Sequence, residues 1–172
     1  MMLSLELFPG STAVVAERPL PDHSTDLSPE DSRSESWSEL LVVVVEDSTI
    51  VRERLIRLLT SVANVRVVGE AATAADAIQK IAELQPDVVT LDLRLEQGSG
   101  LDVLRALGGA TPKPCVAVLT NYGDAHSRRE CLSLGADFFF DKSLELADLK
   151  SVLTRLAASA EAGIRWRDRN PQ

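Results

Sequence analysis

Five polar residues stand where apolar runs of this chain end, and their types suit one chemistry. Glu46 and Asp47 follow the run at 40–45, and Asp92 sits in Thr90-Leu91-Asp92-Leu93. Thr120 closes the run at 115–119, and Lys142 follows Phe138-Phe139-Phe140. A carboxylate buried without compensation is strongly disfavoured, so Asp92 inside an apolar stretch needs a partner. Adjacent acids with a third nearby raise one another's pKa unless a cation offsets them. No His or Cys accompanies them, so a hard ion with oxygen ligands fits best: Mg²⁺, with Mn²⁺ able to substitute. Beside such an ion Asp92 becomes a nucleophile toward phosphorus, because the metal screens its repulsion from the phosphoryl oxygens. Lys142 would neutralise charge on the phosphoryl group, and Thr120 would donate a hydrogen bond to one of its oxygens. Each residue alone has a plainer reading. The acidic pair can cap the next helix or face water, Thr120 can be a strand-end hydroxyl, and Lys142 a surface charge.

The elements that must position these groups follow from periodicity. Residues 40–45 are a continuous Leu and Val run, the mark of a strand covered on both faces. Ser48 is placed to cap a helix with Val51, Leu55, Leu58 and Leu59 on one side. Residues 65–68 read as a second strand, and Thr73 opens a helix burying Ala77, Ile78, Ile81 and Leu84. Pro86 ends that helix before a third strand at 88–91. Gly98 and Gly100 turn the chain into a helix with Leu101, Leu104 and Leu107 inward, and Pro112 and Pro114 precede a fourth strand at 115–119. A polar helix over 124–134 stops at Gly135, 138–140 is a fifth strand, and a last helix spans 144–160.

Strands alternating with helices of this length predict an α/β fold, a doubly wound parallel sheet with helices on both faces. Ligands of such sheets sit beyond the carboxyl ends of the strands. All five polar residues fall at that edge, so the fold reading joins them into one candidate site.

Composition narrows the function classes. The chain has 172 residues, 45% apolar, which suits one domain of ordinary size with a remainder. A net charge of -8 and no basic stripe argue against a direct nucleic-acid partner. Cys115 and Cys131 read as buried thiols rather than a disulfide framework or metal set. No segment resembles a membrane span or a secretory leader, so a cytoplasmic location is expected.

Residues 1–39 read as a separate leader. They hold four of the eight prolines and eight acidic side chains against Arg18 and Arg33. From 22 to 39 apolar side chains are too sparse to repay ordering, so the leader is expected to be largely disordered. Leu3, Leu5, Leu7 and Phe8 hint at a short docking segment, and Trp37 at a contact with the domain edge. Residues 40–161 form the folded domain, and 162–172 a short tail with Trp166, Arg165, Arg167 and Arg169.

Other chemistries find no support. Gly98-Ser99-Gly100 and Gly108-Gly109 lack the spacing and lysine of a nucleotide-binding loop. His23 and His126 have no nucleophile partner in their sequence context, which argues against a hydrolytic triad. Arg128, Arg129 and Glu130 read as a solvated helix face, and the three consecutive phenylalanines as core, one of them a candidate movable ring.

Over residues 40–160 the chain resembles the receiver domain of two-component response regulators. Glu46-Asp47 matches the acidic pair that binds Mg²⁺, Asp92 the phospho-accepting aspartate, Thr120 the switch hydroxyl and Lys142 in Asp141-Lys142-Ser143 the family lysine. Phe139 matches the switch aromatic, and Gly100 the glycine that ends the loop after the third strand. The resemblance implies a flavodoxin-like strand order 2-1-3-4-5. It also implies Asp47 as the more direct metal ligand, Glu46 acting through water, and the Arg94 main-chain carbonyl as a further ligand. Departures are Glu96 where the family commonly has proline, and Phe139 where tyrosine is frequent. Arg94 and Tyr122, two residues beyond acceptor and switch hydroxyl, would flank the path of attacking water and tune the phosphorylated lifetime.

The implied partners are a histidine kinase or histidine phosphotransfer protein upstream. Downstream stands an unknown protein bound through the face of the fourth helix, fifth strand and fifth helix, with a phosphorylation-dependent homodimer left open. With nine residues after Gly163, the expectation is a stand-alone receiver or the start of a linker. The alternative is a non-phosphorylated docking module of the same fold. A haloacid-dehalogenase-like phosphatase would need an aspartate at the position of Arg94, so self-phosphorylation and autodephosphorylation are expected rather than turnover of external esters.

Overall fold

The computed structural model describes residues 39–121 and 123–162. The expectations for the leader before Glu39, for Tyr122 and for the tail from Gly163 fall outside the described residues. The chain forms β1 (Leu40–Val45), α1 (Thr49–Thr60), β2 (Val65–Ala71), α2 (Ala74–Leu84) and β3 (Val88–Leu91). It continues through α3 (Gly100–Leu107), β4 (Cys115–Thr120), α4 (Ala125–Ser133), β5 (Phe138–Asp141) and α5 (Leu146–Glu161). The strands make one parallel sheet in the order β2-β1-β3-β4-β5, the doubly wound arrangement expected from the alternation.

Strand alternation divides the core in two. Val42, Val44, Val88, Ala117, Leu119 and Phe140 pack with Leu55 and Leu59 of α1 and with the buried side of α5. Val43, Val45, Val89, Leu91, Val116, Val118 and Phe139 pack against α2, α3 and Cys131 of α4. Both faces of β1, β3 and β4 are thus covered, which explains their unbroken apolar runs. Both cysteines are free and buried.

Several boundaries differ from the periodicity. β2 runs on to Ala71 because its pairing with β1 resumes after an irregularity at Val42/Val43, where Gly69 takes a place opposite Val43. A glycine reads as a strand breaker, and here it lies close under Leu84 and Val43 side chains. Leu84, expected on the buried side of α2, is 39% exposed, and the last helix begins at Leu146 rather than Leu144, which is 80% exposed. Thr73 caps α2 through the Asp76 N–H as expected. Ser48 occupies the cap position of α1 but makes no side-chain cap bond, and its own N–H donates to the Glu46 carboxylate.

Candidate functional site

The sheet register builds the site. Val45 pairs with Leu91, Leu91 with Val118, and Val118 with Phe139, so one row crosses four strands near their carboxyl ends. One step beyond that row, the Asp92 N–H donates to Val45 O at 2.9 Å and the Glu46 N–H to Ala71 O at 2.9 Å. Glu46, Asp92 and Lys142 continue the alternation of the residues facing α1 and α5. Thr120 continues that of Val116 and Val118, with Phe139 on the same side, toward α2, α3 and α4. The sheet therefore separates an acid–ammonium group on one face from a hydroxyl–aromatic pair on the other.

On the first face, Lys142 Nζ lies 2.5 Å from Glu46 Oε2 and 2.5 Å from Asp92 Oδ2. All three residues are buried, at 9%, 1% and 7% exposure. Asp92 Oδ1 also accepts the Arg94 N–H at 3.2 Å, and Glu46 Oε1 the Ser48 N–H at 3.3 Å. Burial pushes the Glu46 carboxyl above its ordinary range, and the Lys142 hydrogen bond and charge pull it partly back.

Oxygens of Glu46, Asp47 and Asp92 lie within 4.8 Å of one another, with Asp47 on the exposed side. This donor set fits a hard divalent ion: it is all carboxylate oxygen, and three carboxylates with one ammonium leave two negative charges. Lys142, expected beside Asp92, stands in direct contact with its carboxylate.

On the second face, Thr120 is fully buried, and its carbonyl accepts the Lys142 N–H at 3.1 Å. Phe139 is buried at 7% exposure, so the candidate movable ring already lies inside. A β-carbon placed on Gly123 would stand 3.0 Å from Phe139 Cε1 and 3.9 Å from Thr120 Cγ2, so that glycine borders both. Phe138 and Phe140 point the other way and stack with ring centroids 6.0 Å apart.

Two features escaped the sequence reading. Arg128 is not merely solvated: its guanidinium carbon lies 5.2 Å from the Phe139 ring centre, and Nη2 donates to Phe139 O at 3.0 Å. Arg52 of α1 reaches back to the acidic turn and to Glu70 of β2. Its only early signal was a cation five residues after Asp47. Gly100 has a positional reason: a β-carbon there would meet Asp92 O and stand 2.9 Å from Leu93 Cα. Its N–H closes the loop on Leu93 O at 3.0 Å.

A doubly wound sheet with an acidic cluster and a lysine at its carboxyl edge has the architecture of a signalling receiver. The family model "Response regulator receiver domain" matches residues 42–154, and the chain belongs to that family. It is similar to protein-glutamate methylesterase/protein-glutamine glutaminase 5 of Myxococcus xanthus, with 44% identity over 87 residues. That match covers 51% of this chain and 25% of the relative. A namesake of Bacillus licheniformis is 36% identical over 126 residues, 69% of this chain and 35% of its own length. The chain thus spans about a quarter to a third of the curated relatives it matches.

Among solved structures, the response regulator domain of Thermotoga maritima CheB superposes with a TM-score of 0.60 at 28% identity. It covers 72% of this chain and 97% of that one. The signal receiver domain of a NarL response regulator from Mycobacterium tuberculosis gives a TM-score of 0.64 at 28% identity, covering 70% and 98%. Among the described residues, no helix is long and apolar enough to cross a membrane.

Proposed function

We propose that the chain is a phospho-accepting receiver in which Asp92 takes a phosphoryl group from a phosphohistidine. The donor is a histidine kinase or histidine phosphotransfer protein of the same compartment, the cytoplasm. The observation that carries this reading is the meeting of Asp92 with Lys142 and Glu46 from two other strand ends, with Asp47 beside them. Glu46, Asp47, Asp92 and the Arg94 carbonyl would hold Mg²⁺. The bound ion would screen the repulsion between carboxylate and phosphoryl oxygens.

An Asp92 oxygen attacks phosphorus in line. The new O–P bond forms as the N–P bond breaks, and the imidazole nitrogen keeps the electron pair. The Lys142 ammonium, already at the acceptor oxygen, follows the added negative charge. Thr120 turns its hydroxyl toward the phosphoryl oxygens, and Phe139 moves with it, since both side chains border Gly123 on the far face of the sheet. The surface of α4, β5 and α5 then changes, and a downstream protein or a second copy of the chain binds there.

Acetyl phosphate with Mg²⁺ should label the wild-type chain in an acid-labile, stoichiometric way, and Asp92→Asn should take up none. Label retained by that variant would refute the assignment. A wild type that takes no label from acetyl phosphate or a cognate kinase would favour the constitutive docking module. Arg94 and Tyr122 are assigned to shielding the acyl phosphate, and Arg94→Ala with Tyr122→Ala is expected to shorten its lifetime. An unchanged dephosphorylation rate would remove that role.

A further inference from the structure

β1 stops at Val45, and the next two peptides turn out of the sheet to present the acidic pair. Their carbonyls leave the strand ladder and need donors of another kind. Arg52 supplies them: Nη1 donates to Glu46 O at 2.7 Å and to Asp47 O at 3.3 Å, and Nη2 to Thr49 Oγ1 at 3.4 Å. The side chain is only 18% exposed. Its remaining edge is also held, with Nε 3.1 Å from Glu70 Oε2. Glu70 lies on β2 opposite Val44, and its carbonyl accepts Lys80 Nζ of α2, which also pairs with Asp76 at 2.9 Å. A connected path therefore runs from α2 through the edge strand and α1 to the two peptides that carry the carboxylates.

We propose that Arg52, clamped by Glu70, is the positioning residue of the acidic turn, fixing the Glu46 and Asp47 carbonyls so that their carboxylates meet Asp92 at a spacing a divalent cation can bridge. This rests on the reading of the cluster as a cation site. The planar fork matters because its donors have fixed relative directions and can hold neighbouring carbonyls while Nε keeps its carboxylate. A lysine ammonium could donate to both carbonyls, as Nη1 does, but it has no second nitrogen at a fixed angle to keep the Glu70 carboxylate as well. Glu70 also keeps the guanidinium charge on the outer side of the turn; without it, Arg52 is free to swing toward the carboxylates and compete with the ion. Partners one layer outside a metal site commonly set affinity by about tenfold to a hundredfold.

The test is Mn²⁺ binding to the full chain, read by loss of the free-ion electron paramagnetic resonance signal. The proteins are wild type, Arg52→Gln, Arg52→Lys and Glu70→Gln, each first checked for the native circular dichroism spectrum. Arg52→Gln is expected to weaken binding by about tenfold or more, Arg52→Lys to fall between it and wild type, and Glu70→Gln to weaken binding by about threefold. Phosphorylation by acetyl phosphate should then need more cation for half-maximal rate, while the rate at saturating cation stays near wild type. A purely structural role would lower both. Wild-type affinity in both Arg52→Gln and Glu70→Gln overturns the proposal. Absence of Mn²⁺ binding to wild type overturns the cation-site reading instead. Should Arg52→Gln fail to fold, Glu70→Gln decides, since it leaves the guanidinium in place.

Discussion

Lys142 Nζ and the Asp92 carboxylate stand 2.5 Å apart, and the same nitrogen reaches Glu46 at 2.5 Å, so one ammonium serves acids from two other strand ends. The three side chains start from β5, β3 and β1, whose order in the sheet places β4 between the lysine and its nearer acid. The reach over β4 is possible because Thr120 of that strand turns to the opposite face. The ammonium is thus the shared counter-ion of the Glu46 and Asp92 carboxylates.

Removing that charge while keeping the apolar stem isolates its contribution. Lys142→Met leaves two buried carboxylates facing each other, and breaking a buried ion pair from one side costs about 3 kcal/mol or more. In chelator-treated buffer, urea denaturation should show a loss of that size. Mg²⁺ at a hundredfold excess over its Kd should return about 2.7 kcal/mol by binding the folded state alone. Equal midpoints for variant and wild type in chelator would show that the ammonium is not the stabilising counter-ion.

Gly100 tests the backbone of Asp92 rather than its charge. Its missing side chain makes room for the Asp92 carbonyl and for Leu93 Cα, which would lie 2.9 Å from an added β-carbon. Gly100→Ala is expected to cost about 2 kcal/mol by overpacking and to slow phosphorylation by shifting Asp92. Gly109, which has nothing within 4 Å of its β-carbon position, is the control: Gly109→Ala should leave the labelling rate unchanged. Equal labelling rates in the two variants would show that Asp92 tolerates displacement of its own peptide.

The residues that were legible in sequence are those whose type conflicts with their surroundings. Asp92 directly after an apolar strand and Lys142 just beyond three phenylalanines each break a local pattern, and the strand count brings them to one edge. Arg52 and Arg128 break no pattern, because a cation on an amphipathic helix is what solvent exposure also produces. Their partners are a main-chain carbonyl and a ring from other elements, and neither leaves a mark in periodicity. Gly69 misled for the opposite reason: its local preference is against a strand, and pairing with β1 overrides it. Ser48 has the type of a capping residue, yet its turn is organised by Arg52 and the Glu46 carboxylate, so the side chain is not used.

Asp137 provides the pH dependence. Its Oδ2 accepts the Val116 N–H at 2.8 Å, and its own N–H donates to Val116 O at 2.9 Å, so it anchors the start of β5 to β4. Burial raises the carboxyl above its ordinary value of 3.8, with the Val116 hydrogen bond and Lys113 working in the opposite sense. A group whose pKa is raised on folding contributes stability below its unfolded value and loses it as pH climbs through the folded one. Asp137→Asn keeps an acceptor for Val116 and removes the titration. Denaturation midpoints measured upward from pH 4 should therefore fall more steeply for wild type than for the variant. Parallel curves would show that the carboxyl titrates as it does in the unfolded chain.

Arg128 ties the Phe139 ring to the surface. The guanidinium lies over Phe139, donates to Phe139 O, and comes within 4.0 Å of Glu145 at the start of α5, so α4, β5 and α5 meet on one side chain. A cation over a ring at a half-exposed site contributes about 0.5–1 kcal/mol. That is small against the stability of the domain but large enough to shift which way a ring packs. An indole introduced by Phe139→Trp reports on it, its emission taken as the difference from the parent chain with its own two tryptophans. Adding Arg128→Ala should move that emission to longer wavelength as the ring becomes wetter, and Arg128→Lys should give a smaller shift, since the ammonium keeps the charge but not the planar contact. An emission maximum that is the same with arginine and alanine would mean that the core alone holds the ring inside.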